Sequence, residues 1–282
     1  MQINWELKSL LFGILNRVPG NLLYLTQKYV TGRSRVIAKE IKKEWLFHEQ
    51  IINSRNARNV IEFGAGKSLI QNLYLTSTGI NQVVVDLNKM VDFDQVNDAI
   101  SELLKLGAAI DGRSVHSFQE LKDVYKIDYL APVDMRNTHF EDDTFDLCIS
   151  TNTMEHIPEA DLAKICHELI RVLKPTGAIS SKIDYSDHYA HTDKSITVHN
   201  FLQYSAKEWA RHNHSNHFQN RLRHGHYKRL FSDAGLTLSK VSAEDIKPFT
   251  NEKLREENLC NDGDDEAISG YFVLSMPAKA AS

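Results

Sequence analysis

The stretch that most constrains this chain is VIEFGAGKSLI at residues 60–70, an apolar run that ends in an acid and a glycine turn before a helical pattern begins. A strand feeding a glycine turn and a helix opens a parallel α/β layer, and such sheets bind ligands beyond the C-terminal ends of their strands. Gly64 and Gly66 let the main chain approach a ligand, and Glu62 stands at the strand's edge. A second acid, Asp86, closes the next apolar run, VVVDL, 24 residues after Glu62. A carboxylate there can accept both hydroxyls of a ribose. The order strand, glycine turn, helix, strand, acid points to an adenosine cofactor.

Beyond Asn59 short apolar runs alternate with amphipathic stretches, the pattern of a parallel sheet with helices on both faces. Strands are expected at Val60 to Phe63, Gln82 to Leu87, Tyr129 to Asp134, Phe145 to Ser150 and Ala178 to Ile183, and a terminal pair at Leu236 to Ser242 and Ile268 to Met276. Asp94 starts one helix, Ser117 with Glu120 caps a second as a capping box, and Ile157-Pro158 opens a third that ends at Lys174 to Gly177. A further helix is expected over Tyr227 to Ala234. The polar excursion between the terminal strands reads as a surface loop, with an insert over the pocket as the alternative.

The first 54 residues read as an N-terminal helical appendage. Leu7, Leu10, Leu11, Ile14, Leu15 and Val18 fall at helical spacing, Pro19-Gly20 interrupts it, Asn21 to Leu25 resumes it, and 34–52 forms another amphipathic helix. The stripe's first expected partner is the chain's own domain. Its second, through residues 1–30, is a membrane surface or a lipid-linked substrate.

A net charge of −4 gives no support to a nucleic-acid partner, and none is expected. Cys148, Cys166 and Cys260 form an odd set without metal spacing, so a cytoplasmic chain without disulfides is expected, peripheral to the inner face of the membrane if the stripe binds lipid. The most apolar N-terminal stretch, 7–18, is broken by Lys8, Asn16 and Arg17 and has neither the length of a membrane span nor the marks of a signal peptide.

Two cofactors compete for the glycine turn. A dinucleotide needs a third glycine where Leu69 stands, to make room for a pyrophosphate; S-adenosylmethionine (SAM) carries no phosphate, and its ammonium group suits an acid before the turn. The segments PVDMRNTHFEDDTFDLCISTNTMEHI (132–157) and LIRVLKPTG (169–177) sharpen the choice: over residues 55–277 the chain resembles the small-molecule branch of the class I SAM-dependent methyltransferases. The resemblance implies a Rossmann-like seven-stranded α/β sheet ending in an antiparallel hairpin. It also implies that Glu62, Gly64, Ala65 and Gly66 line the methionine half of SAM, that Asp86 and Leu87 meet ribose and adenine, that Asp134 and Met135 hold the adenine edge, and that Thr151 and Asn152 stand near the sulfonium. Ser68 departs from a frequent third glycine of that family but is small. The turn after strand four reads STNTMEH, without the Asn/Asp-Pro-Pro-Tyr/Phe of enzymes that methylate base amino groups.

After Ile183 the alternation gives way to SSKIDYSDHYAHTDKSITVHNFLQYS (180–205), and 184–227 reads as a substrate-binding insert over the methyl group. Asp184, Asp187, His188, His191 and Asp193 crowd there, and eight of the chain's 13 histidines lie between His188 and His226. Methyl transfer to a hydroxyl requires a proton acceptor, and imidazole has a suitable pKa. His188 and His191 are the candidate bases, with His156 a third; an ordering role for the loop and, for His188, His191 and Asp193, a divalent cation are the competing readings, and no metal is expected. DHYAHTD, HNFLQYS and FQNRLRHGHYKRLF resemble a subgroup of bacterial methyltransferases associated with surface polysaccharides, which implies O-methylation of a sugar hydroxyl on a glycan or lipid-linked saccharide. A quinone precursor or natural product is the alternative acceptor, and a SAM-binding partner without turnover the non-enzymatic alternative. His212, His214 and His217 read as an exposed loop, and Arg221, Arg223, Lys228 and Arg229 as a solvated face or the holder of an acidic sugar or phosphate.

Overall fold

The computed structural model describes residues 3–16, 36–250 and 253–277. The expectations for Val18, Pro19-Gly20 and Asn21 to Leu25 lie outside the described residues. Seven strands form one sheet: β1 (Asn59–Phe63), β2 (Asn81–Val85), β3 (Ile127–Leu130), β4 (Phe145–Thr151), β5 (Leu173–Asp184), β6 (Thr237–Glu244) and β7 (Ser269–Ser275). Their order is β3-β2-β1-β4-β5-β7-β6. The first five are parallel, and β7 runs antiparallel between β5 and β6. This is the Rossmann-like sheet with a terminal hairpin that the resemblance implies. The switch in strand order between β1 and β4 opens a crevice at the C-terminal edge, where the glycine turn leaves β1.

Strand periodicity distributes the core between the two faces. Ile61, Phe63, Cys148, Ile179 and Ile183 meet α6 (Glu159–Val172) and α8 (His224–Asp233). Val60, Val84, Leu147, Ile149 and Ala178 meet α2 (Lys43–Arg55), α3 (Ile70–Leu75), α4 (Phe93–Lys105) and α5 (Phe118–Tyr125). Asp92 caps α4 by accepting from the Asp94 amide at 3.1 Å. Ser117 accepts from the Glu120 amide at 3.2 Å, while the Glu120 carboxylate reaches back to His116 rather than to Ser117, so the expected capping box is shifted by one residue.

Several boundaries differ from the sequence reading: β2 ends at Val85 rather than Leu87, and β5 starts at Leu173 rather than Ala178, so that Lys174 to Gly177 belong to the strand. The expected helix over 34–52 starts only at Lys43, where Trp45, His48 and Ile52 begin to bury one face; Ala38 is held outside it, its amide donating to Glu102. β3 ends at Leu130 rather than Asp134 because Pro132 has no N–H for the ladder, which frees Val133 to Arg136 to turn into the crevice. α8 begins at His224, three residues before the expected Tyr227.

A third, smaller core lies over the C-terminal edge. Trp5 of α1 (Trp5–Leu15), Tyr189, Phe201, Leu202 and Trp209 of the short α7 (Ala206–Trp209) are its buried members, and Phe249, Leu254 and Leu259 pack against it. The N-terminal stretch is therefore divided: α1 joins this core, and α2 joins the main one. The excursion between β6 and β7 is a buttress for the insert rather than a bare surface loop, since Asn258 donates to the Leu202 and Tyr204 carbonyls at 2.8 and 3.0 Å.

The basic residues after 220 are corrected as well. Arg221 donates to the Phe201 and Tyr204 carbonyls, and Lys228 pairs with Asp262 and Asp264. Arg223 is fully buried and donates to the carbonyls of Tyr185, Asp265 and Ala267, tying the insert to the last loop. Arg223→Met leaves those acceptors unpaired at roughly 1–3 kcal/mol each, so a loss of about 3 kcal/mol or more is expected in denaturant unfolding. Among the described residues no helix is long and apolar enough to cross a membrane.

Candidate active site

The crevice is a cleft of about 300 Å³ lined by Gly64, Asp86, Leu87, Asp134, Met135 and His156 together with Val133, Arg136, Thr153, Pro158 and Asp161. Six sequence-expected residues thus meet in one hollow. Glu62, Ala65, Gly66, Thr151 and Asn152 lie beside it on β1, β4 and their turns, and His188 and His191 stand behind His156.

Gly64 has φ +76°, and a Cβ there would collide with the Thr153 side chain, whose hydroxyl donates to the Gly64 carbonyl at 3.2 Å. Gly66 has φ +78° and open space where a Cβ would stand, a cradle that a ligand can fill. Gly64→Ala combines a left-handed alanine with that collision, so a loss of about 1–2 kcal/mol or more in unfolding free energy is expected along with loss of cofactor binding.

Glu62 faces α3, where Gln71 and Asn72 donate to its two oxygens at 2.9 and 2.7 Å. Burial raises its pKa to about 8, since those amides only partly replace water. Gln71 is held by a chain of fixed polarity. The Thr151 hydroxyl donates to the Gln71 carbonyl oxygen at 3.0 Å, and His48 of α2 bridges Thr151 and Ser180 at 2.9 and 2.7 Å. Burial lowers the His48 pKa to about 3, so the ring is neutral and must donate through one nitrogen and accept through the other. The Thr151 hydroxyl is therefore committed to supporting Glu62. Asn152 takes a left-handed φ of 51°, and its side-chain amide oxygen Oδ1 accepts from the Lys182 ammonium at 2.8 Å.

Asp86 follows directly on β2, its carboxylate accepting from the Tyr129 hydroxyl at 2.8 Å, and burial raises its pKa to about 6. Leu87 is 61 % exposed at the rim. Asp134 is gripped by Arg136, which also reaches Asp161 at 3.1 Å; that guanidinium holds the Asp134 carboxyl below its ordinary range. Met135 is buried beneath.

The residues fit SAM. A buried acid whose side-chain partners are amides suits an ammonium group, the space beside Gly66 suits a close ligand, and Asp86 offers a carboxylate for ribose hydroxyls.

His156 connects the cleft to the insert. Its Nδ1 bonds the Phe218 carbonyl at 2.7 Å, which assigns the proton to Nδ1 and leaves Nε2 as an acceptor when the ring is neutral; burial lowers its pKa. The His188 ring lies 5.0 Å from it and the His191 ring 4.8 Å from His188, centroid to centroid. Asp184 approaches His188 at 3.5 Å and His191 at 3.9 Å. Although burial opposes its ionisation, His188, Ser186 and the Lys182 charge hold the Asp184 carboxyl well below the usual range. Burial and the neighbouring His188 lower the His191 pKa, so His191 is neutral near pH 7. The other expected members stand apart: Asp193 receives the Trp5 amide at 2.8 Å, and buried Asp187 holds Tyr189 and Asn200.

Sequence reasoning missed Glu155. It is buried, makes no hydrogen bond of good geometry through either oxygen, and has a pKa raised to about 8 by burial. Its neighbour His156, in the 3-10 turn that follows β4, was the available signal. Glu155, His156 and His188 form one group with donor atoms within 4.8 Å of one another, and Asp184, His188 and His191 form a second; each has the spacing of divalent-cation ligands.

His212, His214 and His217 do not form an exposed loop. His212 bonds Ser9 at 2.9 Å, and His217 stacks on Phe12 at 4.5 Å, so this segment is the seat of α1.

Residues 61–181 match the family model described as a methyltransferase domain. No curated protein matches the sequence. Among solved structures, the chain is similar to a protein from Haloferax volcanii solved with the Trm112 methyltransferase activator (17% identity, 83% of this chain and 91% of that one, TM-score 0.48). It is also similar to a SAM-dependent methyltransferase from Methanosarcina mazei (14%, 85% and 100%, TM-score 0.49) and one from Clostridium acetobutylicum (12%, 92% and 98%, TM-score 0.48). Residues 61–181, from β1 into β5, thus carry a methyltransferase domain whose glycine turn opens into the cleft, and the chain is an enzyme whose cofactor is S-adenosylmethionine.

Proposed function

We propose that this enzyme methylates a hydroxyl of a saccharide, with the imidazoles at the cleft receiving the hydroxyl and its proton. The observation that carries this reading is the row His156, His188, His191, with His156 lining the cleft and ionised Asp184 beside the other two. SAM supplies an electrophilic methyl group; Glu62, Gly64, Ala65 and Gly66 would hold its methionine half, Asp86 and Leu87 its ribose and adenine, and Asp134 and Met135 the adenine edge, with Thr151 and Asn152 standing near the sulfonium. The chain's own contribution is to bind the acceptor in line and take one proton. An ionised carboxylate beside an imidazole favours the protonated ring once that proton arrives.

A second hollow of about 380 Å³ shares Pro158 with the cleft and is lined by Glu159, Asn213, Gln219, Asn220 and Arg221 beside Trp209. It gives an acceptor larger than one ring room to extend past the methylated position, and its polar lining suits a flat quinone precursor less well. The cytoplasm, where SAM is made available, is the compartment this reading requires.

The test is an acceptor screen with SAM, comparing nucleotide sugars and glycan fragments with phenolic and quinone-like acceptors. Methyl transfer to a saccharide oxygen is expected. Transfer only to the other acceptors contradicts the saccharide reading. Loss of turnover with a chelator and its return with a divalent metal would assign the His/Glu155/Asp184 groups to cation binding instead.

The two raised carboxylates make cofactor affinity depend on pH. Protonation neutralises Asp86 below about pH 6 and Glu62 below about pH 8, and the neutral forms are poorer partners for ribose hydroxyls and an ammonium group. Affinity for S-adenosylhomocysteine is therefore expected to fall as pH is lowered, by about tenfold through Asp86 alone once pH is one unit below its pKa. Calorimetric titrations at several pH values check this, and a flat profile contradicts it.

A further inference from the structure

Helix α1 has two unlike faces. Trp5, Ser9 and Phe12 seat it on the insert through Asp193, His212 and His217, and Gly13 brings it so close that a Cβ there would meet the His214 ring at 3.0 Å. Leu7, Leu10, Leu11 and Ile14 fall on the other side at i, i+3, i+4 and i+7, and are 53, 60, 46 and 54 % exposed. They are four of the ten large hydrophobic residues exposed among the described residues, so the helix carries a stripe rather than scattered apolar residues.

We propose that this stripe docks the enzyme on an anionic lipid bilayer and so presents the active site to a lipid-linked saccharide. The charge pattern selects that occupant. Residues 1–35 carry Lys8, Arg17, Lys28, Arg33 and Arg35 against one acid, Glu6, in a chain whose overall charge is −4. An apolar stripe within a basic stretch of sequence suits anionic headgroups. A second copy meeting stripe to stripe would bring two basic segments together.

The position of α1 connects docking to chemistry. Phe12 stacks on His217, whose ring lies 6.2 Å from that of His188, so the helix that lies on the membrane also packs on the acceptor side of the cleft. This inference rests on the saccharide reading only for the acceptor; the docking itself stands on α1.

The test is co-sedimentation of the full chain with vesicles of phosphatidylcholine alone and of phosphatidylcholine mixed with phosphatidylglycerol, for wild type and the double variant Leu10→Glu/Ile14→Glu. Wild type is expected to sediment with the anionic vesicles, less so at high salt, and the variant to lose about tenfold or more in partitioning. The variant's circular dichroism and S-adenosylhomocysteine affinity should match wild type, because neither position touches the cleft. Wild type remaining in the supernatant, or the folded variant sedimenting equally, overturns the proposal. Concentration-dependent dimers that the variant abolishes, without vesicle binding, would assign the stripe to a second copy and also overturn it. Sedimentation is read without turnover, so its failure leaves the methylation reading intact, whereas sedimentation without transfer to any saccharide overturns that reading alone.

Discussion

His188→Ala and His191→Ala are each expected to lower turnover about 10²-fold or more while S-adenosylhomocysteine affinity stays within about twofold of wild type. A positioned base contributes roughly 10²- to 10⁴-fold, and the larger gain from holding acceptor and methyl in line, on the order of 7–11 kcal/mol, survives its removal. Slow residual transfer should therefore remain. The two variants need not be equal: His188 is mostly buried with its Nε2 3.5 Å from Asp184, whereas the His191 side chain is 52 % exposed and bonds the Ser186 hydroxyl at 3.1 Å. Single-turnover rates measured beside calorimetric affinities separate a loss of chemistry from a loss of binding. Unchanged turnover in both variants would remove these imidazoles from the reaction.

Asp86→Ala is expected to weaken S-adenosylhomocysteine binding about 100-fold. Hydrogen bonds to a charged group contribute roughly 1.5–3 kcal/mol each, and a ribose offers two hydroxyls to this carboxylate. The substitution also deprives the Tyr129 hydroxyl of its acceptor. Asp134→Ala provides the contrast. The Asp134 carboxylate is already gripped by Arg136 near the surface, so a smaller loss, about tenfold or less, is expected there. Calorimetry on both variants checks the order, and equal losses would contradict the assignment of the ribose to Asp86.

The features legible in the sequence were local ones. The run from Glu62 to Gly66 reads as a glycine turn because left-handed backbone and close approach are properties of a few adjacent residues, and Asp86 follows from the end of its own strand. Glu155 was illegible because its distinction is burial without a good hydrogen bond, which depends on how the insert closes over β4. Arg223 reads as a surface cation until Tyr185, Asp265 and Ala267 surround it from distant parts of the chain. His212, His214 and His217 gave no hint of a seat for α1, because the partner helix lies roughly 200 residues away. The same remoteness hid the chain from His48 through Thr151 and Gln71 to Glu62, each of whose members looks like ordinary helix or strand composition.

A crystal structure of the enzyme with S-adenosylhomocysteine most directly tests the central claim that one cleft joins the cofactor to the row of imidazoles. The expected result is a ribose within hydrogen-bond reach of Asp86, adenine over Met135, and the sulfur directed toward His156 and the insert. A ligand bound elsewhere, or one whose sulfur faces away from His156, His188 and His191, would contradict it.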